Sequence, residues 1–302
     1  MADRPFDSAS AFLPEDIKKE AQTLGDDVKR EATQIRLRCG QAALVCTAAG
    51  RIRLRGPYGT LNGRHIAECF EKLCRGSPYA MAEQIRRGYV TASGGHRAGI
   101  CGAGVSDGAG PRTLTDISSI NIRIARQIRS DEARAAVSAM TGGGEIRNAV
   151  ILSPPGRGKT TLLREMVRLI SNGVLSPEYD VAIADERSEI AAMHNGEYGF
   201  DVGRNTDVID RVPKSEAISM LVRSMAPRLI AADEIGGAAD AAAVAEAVRC
   251  GVSVLTTAHC GSAEDFYRRR DILPASAAGL FGVVIVLCAH GEVGRIEELR
   301  VI

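Results

Sequence analysis

Short apolar runs alternate with amphipathic, helix-length segments through the second half of the chain. Within those segments, residues such as Leu162, Met166 and Leu169 recur at the spacing of one helix face. The predicted strands are Ala149–Ser153, Val181–Ala184, Leu229–Ala232, Val252–Thr256 and Val283–Leu287, and the predicted helices are Thr160–Ile170, Ser215–Met225 and Ala239–Arg249. This alternation predicts βαβ units around a mostly parallel sheet, which binds its ligands at the carboxyl ends of the strands.

The first half has a different pattern, in which apolar and polar residues alternate one by one. Ile35–Arg38 and Arg51–Leu54 alternate in this way, which is typical of half-buried strands. A helix is predicted around Ile66–Leu73, and a hairpin turns at Gly94–Gly95. We therefore expect a smaller α/β domain before the parallel sheet.

The boundary between the two halves is expected near residue 130. Residues 1–129 form the predicted N-terminal α/β domain, and residues 130–302 form the predicted domain with the mostly parallel sheet. The first 30 residues are polar and predict a charged helix with a loose end, while the glycine-rich stretch Gly102–Pro111 predicts a loop.

Composition narrows the class of protein. The chain has 302 residues, of which 45% are hydrophobic and 25% charged, as in a globular protein with a proper core. A net charge of +1 and an aromatic content of only 4% argue against a nucleic-acid-binding protein. Neither a secretory signal nor a membrane-spanning stretch is visible, so we expect a cytoplasmic protein that does not insert into a membrane itself.

A phosphate-binding loop lies between the first predicted strand and helix of the second domain. It consists of Ser153, Pro154, Pro155, Gly156, Arg157, Gly158, Lys159 and Thr160, and Thr161 follows it in the helix. Glycines let backbone N–H groups surround phosphate oxygens, and the helix N-terminus favours an anion. Lys159 is predicted to reach the β- and γ-phosphates of ATP, and the Thr160 hydroxyl to bind Mg²⁺. Ser153 stands where the pattern has its first glycine.

Two further strands end in acidic residues. Leu229–Ala232 is followed by Asp233 and Glu234, which we interpret as the carboxylate on the Mg²⁺ side and a candidate general base. Val181–Ala184 is followed by Asp185 and Glu186, and Glu186 is the competing candidate for the base. The sequence does not decide between Glu186 and Glu234, and Glu189 is a third, weaker candidate.

The fourth strand ends near His259, whose position at the same edge of the sheet favours a contact with the γ-phosphate over a purely structural role. Arg123, Arg126, Arg204 and Arg223 are candidates for phosphate contact or for an arginine that reaches a neighbouring subunit.

Beyond the P-loop, the chain resembles the stage III sporulation AA protein family, which is related to the type II and type IV secretion and pilus-motor ATPases. The resemblance is carried by Ile35–Gly40, Gly94–Gly102, Asp116–Arg126, the P-loop, Asp185–Ile190, Asp201–Asp210, Pro213–Glu216, Arg223–Pro227, Asp233–Gly236 and Thr256–His259. These stretches run from about residue 35 to the C-terminus. Ser153 and Gly236–Gly237 depart from the family pattern.

The resemblance implies a ring, usually a hexamer, that binds ATP between an N-terminal domain and a RecA-like core. Asp185–Glu189 would match the acidic box of such enzymes and His259 the histidine box, while Arg123 and Arg126 would be offered to the nucleotide. It also implies membrane-embedded channel proteins as partners during sporulation. In a sporulating bacterium, recruitment to that channel would be from the mother-cell side.

Three functions follow from these observations. The first is an oligomeric, Mg²⁺-dependent ATPase that powers or assembles a secretion-like channel during sporulation. The second is a nucleic-acid-dependent ATPase, since RecA-like cores also drive helicases. The third is a scaffold that binds ATP in order to assemble but turns little of it over.

Overall fold

A computed structural model describes residues 5–75, 77–106, 111–268 and 279–302 of the chain. The chain divides into two compact units. The N-terminal unit comprises Met1–Arg126 and His194–Gly199, and the core unit comprises Gln127–Met193 and Phe200–Ile302. No helix among the described residues is long and apolar enough to cross a membrane.

The N-terminal unit contains an antiparallel sheet with helices on one of its faces. Its strands are β1 (Gln34–Arg38), β2 (Ala43–Cys46), β3 (Arg51–Leu54), β4 (Tyr89–Thr91), β5 (Arg97–Ser106) and β6 (Pro111–Arg123), and its helices are α1 (Pro5–Ser10), α2 (Glu15–Gln22), α3 (Asp26–Glu31), α4 (Gly63–Leu73) and α5 (Ala82–Arg86). In the described part of the chain, the strands lie in the order β3-β2-β1-β6-β5-β4. Ile35 and Leu37 of β1 are fully buried while Arg38 is exposed, as the alternating pattern predicts.

The first 30 residues differ from the charged helix with a loose end that the sequence predicts. From residue 5 onward they form three short helices, and Phe6, Leu13 and Ile17 are at most 1% exposed. These apolar side chains are few and far apart among charged residues, so no local pattern marks them. They are buried because the sheet of the same unit supplies an apolar surface. Residues 1–4 lie outside the described residues.

The glycine-rich stretch Gly102–Pro111 is mostly strand rather than loop. Gly102 through Ser106 continue β5, and Pro111 begins β6. Pairing with β6 supplies hydrogen bonds that stabilise an extended conformation despite the glycines, although the register shifts between Cys101 and Ala103. The remaining part of the predicted loop, residues 107–110, lies outside the described residues.

His96 links two segments inside the N-terminal unit. Its ring is fully buried, and Nδ1 accepts a hydrogen bond of 3.0 Å from the backbone N–H of Ala125. Since Nδ1 is an acceptor, the proton lies on Nε2, which is 2.8 Å from Oγ of Ser8. Burial lowers the pKa of His96 from 6.5 to about 4.

Acidification is therefore expected to destabilise the protein through His96. His96 takes up a proton below about pH 6.5 in the unfolded chain but only below about pH 4 in the folded chain. The protein therefore keeps its full stability above about pH 6.5 and loses part of it as the pH falls towards about 4. Between about pH 7 and about pH 5 this site should lower the free energy of unfolding by about 2 kcal/mol. Urea denaturation at both pH values checks this, since His96→Gln should remove that part of the pH dependence.

His290→Gln is the matched control for this test, because His290 is exposed in the core unit. That variant should keep the pH dependence of the wild type. An equal pH dependence in wild type and His96→Gln would contradict the assignment.

The core unit contains a sheet with helices on both faces. Its strands are β7 (Ala149–Leu152), β8 (Val181–Asp185), β9 (Thr206–Asp210), β10 (Leu229–Ala232), β11 (Ser253–Ala258), β12 (Val283–Leu287) and β13 (Ile296–Val301), and its helices are α6 (Glu132–Thr141), α7 (Lys159–Ser171), α8 (Lys214–Ser224), α9 (Ala238–Arg249) and α10 (Ala263–Arg268). Among the described residues the order is β13-β12-β7-β11-β10-β8-β9, and only β13 is antiparallel to its neighbour. The predicted α/β class with a mostly parallel sheet is confirmed.

Strand β7 shows how this sheet is buried on both faces. Val150 and Leu152 pack into one apolar cluster, and Ala149 and Ile151 into another on the opposite face. All four side chains are fully buried. Such central strands read as continuous apolar runs, which is why the sequence reveals them clearly. Their parallel arrangement brings the carboxyl ends of β7, β8, β10 and β11 to one edge of the sheet, beside the P-loop.

Candidate active site

The P-loop runs from the end of β7 to the first turn of α7. Gly156 and Gly158 have φ values of 73° and 94°, which place them in the left-handed region that favours glycine. Ser153 is fully buried, and its hydroxyl donates to the carbonyl of Pro154 at 2.9 Å. Serine therefore fits the position where the pattern has glycine. The left-handed glycines turn backbone N–H groups into a concave loop that suits a phosphate chain.

Lys159 lies at the centre of this loop and is only 7% exposed. Its Nζ donates to the carbonyls of Ser153 at 3.0 Å and Pro154 at 3.1 Å, and it lies 2.9 Å from Nδ1 of His259. Burial lowers the pKa of Lys159, and the charges of Asp233 and Glu234 oppose that change. The structure thus brings together the predicted lysine, histidine and carboxylates from three different segments.

Asp233 connects the P-loop helix to two neighbouring strands. Its Oδ2 accepts a hydrogen bond of 2.7 Å from the hydroxyl of Thr160, and its Oδ1 accepts one from the hydroxyl of Thr257. A threonine hydroxyl beside a carboxylate supplies the hard oxygen atoms that Mg²⁺ prefers, with water and phosphate oxygens completing its shell. Thr160 and Asp233 therefore fit the metal site that the sequence predicts. Sequence reasoning did not single out Thr257, although it lies in the same motif as His259.

Glu234 follows Asp233 in a strained conformation, with φ at 39°. Its backbone N–H donates to the Thr257 hydroxyl at 2.9 Å. Its carboxylate oxygens lie 3.1 Å from Nη1 of Arg187 and 3.4 Å from Nε2 of His259. This carboxylate is therefore held at the mouth of the P-loop, close to Asp233 in the chain.

Lys214 contacts the segment that follows Asp233. It is 7% exposed, and its Nζ donates to the carbonyl of Glu234 and lies 3.7 Å from a carboxylate oxygen of Asp240. Asp240 also accepts the N–H of Gly236 at 3.0 Å. In the sequence, Lys214 lies in the stretch Pro213–Glu216, which contributes to the family resemblance, but no role was predicted for it.

Asp185, at the end of β8, accepts hydrogen bonds from the backbone of the loop that follows the strand. It is 2% exposed, and its two oxygens accept the backbone N–H groups of Glu189 at 2.8 Å and Ala191 at 2.8 Å, with Ile190 between them. Burial raises the pKa of Asp185, and these backbone donors oppose the rise. The carboxylate therefore fixes the loop that follows β8.

The loop after β8 places Glu186 near Asp233 and Glu234. Glu186 is exposed and lines a small pocket with Glu189, Lys214, Asp233 and Glu234. Both candidates for the base, Glu186 and Glu234, therefore border one small cavity. Among the contacts described for these two glutamates, Glu234 makes the ion pairs with Arg187 and His259.

Arg164 is a buried residue of this site that sequence reasoning missed. It projects from α7, and its guanidinium donates to the carbonyls of Glu189 and Ile190 while stacking 4.0 Å above the ring of Phe200. Burial lowers the pKa of Arg164 to about 10, and nearby carboxylates including Asp185 oppose that change. A helical arginine looks like a surface residue in the sequence, and only the loop after β8 reveals its role.

The predicted arginines occupy varied positions. Arg123 ends β6 and is exposed, as is Arg223 on α8, while Arg204 pairs with Glu178. Arg126 donates to the backbone carbonyls of residues 29, 30 and 32, at the end of α3. This contact holds Arg126 within the N-terminal unit. The predicted contacts of Arg123 and Arg126 with nucleotide remain predictions.

Comparison with known families identifies relatives for almost the whole chain. The model of the family described as sporulation stage III, protein AA, matches residues 11–300. Stage III sporulation protein AA of Bacillus subtilis (strain 168) is 35% identical over 261 residues, which are 86% of this chain and 83% of that protein. Protein SEEDLING PLASTID DEVELOPMENT 1 of Arabidopsis thaliana is 28% identical over 144 residues, 47% of this chain and 20% of that protein.

Solved structures of the same architecture include a pilus motor and an ATPase. The pilus retraction motor PilT with bound ADP has a TM-score of 0.60 at 17% identity, covering 94% of this chain and 80% of that one. The Legionella pneumophila ATPase DotB has a TM-score of 0.57 at 14% identity, covering 86% of this chain and 73% of that one. At these identities the likeness concerns the fold, which is the RecA-like P-loop fold that the sequence predicted.

Proposed function

We propose that this chain, which belongs to the stage III sporulation protein AA family, is an oligomeric, Mg²⁺-dependent ATPase. The observation that carries the proposal is the meeting of Lys159, Thr160, Asp233 and Glu234 at one edge of the parallel sheet. These residues come from two separate strand ends. Their side chains are those that phosphoryl transfer from ATP to water requires.

Each residue has a role that its contacts support. The backbone N–H groups of residues 156–161 would hold the phosphate chain, and the Lys159 ammonium would neutralise the charge that develops on it. Thr160 and Asp233 would hold Mg²⁺, which supplies charge neutralisation between the phosphates when bound. His259, 2.9 Å from Lys159 and 3.4 Å from Glu234, links the lysine to the acid.

We assign the general base to Glu234 rather than to Glu186. The Glu234 carboxylate is positioned by Arg187 and His259, whereas that of Glu186 is exposed. A base works best when its geometry is fixed before the reaction. The strained backbone at Glu234 is also typical of a functional position.

The assembly and the biological role extend this proposal. The resemblance to secretion and pilus-motor ATPases supports a ring, hexameric by analogy, that powers or assembles a membrane-embedded channel during sporulation. Arg123 and Arg126 would then serve the nucleotide from the N-terminal unit. The protein would act in the cytoplasm and reach the membrane through its channel partners, on the mother-cell side in a sporulating cell.

ATP hydrolysis and assembly state, measured together on the wild-type protein, test this proposal. We expect phosphate release that requires Mg²⁺ and accompanies a species of several subunits in light scattering. Binding and assembly without turnover would favour the ATP-binding scaffold instead. Stimulation by single-stranded DNA that weakens with added salt would favour the nucleic-acid-dependent ATPase.

A further inference from the structure

The turn between β12 and β13 is fastened to the P-loop by a set of hydrogen bonds. The guanidinium of Arg157 donates to the carbonyls of Cys288 at 2.8 Å, Gly291 at 3.0 Å and Glu292 at 3.2 Å. In return, the N–H of Gly294 donates to the carbonyl of Arg157 at 3.1 Å. The side chain of this P-loop arginine thus contacts the turn, and the turn has a fixed position relative to the loop.

The two segments also pack closely at Gly158, where a side chain would have little room. A Cβ atom added to Gly158 would lie 3.2 Å from Cα of Gly294 and 3.5 Å from Cγ1 of Val293. Both glycines have left-handed backbones, with φ values of 94° and 89°. The close packing therefore favours glycine at position 158, and it places Val293 beside the start of α7.

Val293 is apolar yet 61% exposed. A single exposed valine is ordinary on a protein surface, but this one is held against the residue that precedes the phosphate-binding lysine. The β12–β13 turn forms one rim of the P-loop, so a nucleotide whose phosphates lie in the loop can direct its base over this turn. A nucleobase that packs on an apolar side chain fixed at that rim removes apolar surface area from water.

We propose that the β12–β13 turn is a platform for the nucleobase, with Val293 as the side chain that contacts the base. This inference rests on the proposed function, because it concerns the same nucleotide. Arg157 acts as a positioning residue that holds the platform against the P-loop. The chemical class of ligand is a nucleotide whose planar, apolar base adds affinity to that of its phosphates.

The test compares ADP with inorganic pyrophosphate, both in the presence of Mg²⁺, by isothermal titration calorimetry. In the wild type, ADP is expected to bind at least about 10-fold more tightly than pyrophosphate, since base and ribose add contacts. Val293→Asp should weaken ADP binding by about 10-fold and change the Kd for pyrophosphate by less than about twofold. Comparing the two ligands separates loss of the base contact from repulsion of the phosphates, which both ligands carry.

Val301→Asp is the matched control, since Val301 is 50% exposed on β13 and pairs with Val283 at the other end of the hairpin. It should leave both affinities unchanged, and Val293→Ile should keep ADP binding because it retains an apolar surface. Equal loss of ADP and pyrophosphate binding in Val293→Asp, or no loss of either, would overturn the platform. A wild-type protein that binds neither ligand would instead refute the proposed function.

Discussion

Lys159→Ala is expected to reduce ATP turnover by about 100-fold or more. Lys159 is 7% exposed and its ammonium group donates to two carbonyls of the P-loop, so it is held where the phosphates would lie. Alanine cannot neutralise the charge that develops during phosphoryl transfer, and it also leaves the carbonyls of Ser153 and Pro154 without this donor. Steady-state phosphate release, measured with ATP titrated over a wide range, checks the prediction.

Lys19→Ala is the control for the loss of one lysine, because Lys19 is exposed on α2. It should retain wild-type turnover. Circular dichroism and light scattering of Lys159→Ala should show a folded protein, so that lost turnover is not lost structure. Turnover within about threefold of the wild type in folded Lys159→Ala would exclude this P-loop as the hydrolytic site.

Glu234→Gln is expected to lower kcat by about 100-fold or more while changing the Kd for ATP only a few-fold. Glutamine keeps the size of the side chain but cannot accept a proton from water. It also removes the charge that pairs with Arg187 and lies near His259. Rapid-quench measurement of a single turnover, combined with equilibrium binding of ATP, separates the chemical step from binding.

Glu186→Gln is the matched variant, since both glutamates border the same small pocket. If Glu234 is the base, Glu186→Gln should retain kcat within about threefold. A large loss of kcat in Glu186→Gln with a nearly normal Glu234→Gln would transfer the role of the base to Glu186. A large loss in both would mean that the two acids act as a pair.

Local patterns determined most of the core unit. The strands at Leu229–Ala232 and Val283–Leu287 have the predicted bounds, because strands buried on both faces are continuous apolar runs. Two edge strands, β9 and β13, were not predicted. Each is only partly buried, so polar residues such as Asp207 and Glu298 interrupt the apolar pattern.

The list of chemical groups at the site was also available from the sequence. The P-loop and the acids after two strands are short motifs in which each residue type has a chemical reason. Their convergence could be expected as well, since the carboxyl ends of parallel strands meet at one edge. Lys159, Asp233 and His259 do lie together there.

The contacts that hold each of these groups in place depend on the tertiary structure. Asp185 looks like Asp233 in the sequence, yet its oxygens are used by the backbone of the following loop, whereas Asp233 faces Thr160. Arg157 looks like a phosphate ligand, yet its guanidinium holds a turn more than 130 residues later in the chain, at Cys288 and beyond.

The physical reason is the same in each case. Periodicity and motif spacing record contacts between residues that are near in sequence, so they specify strands, helices and the P-loop. A hydrogen bond from Arg157 to Cys288, or the burial of Phe6 against its sheet, depends on the packing of distant segments. Such contacts leave no local pattern, and they appear only when the folded chain brings the partners together.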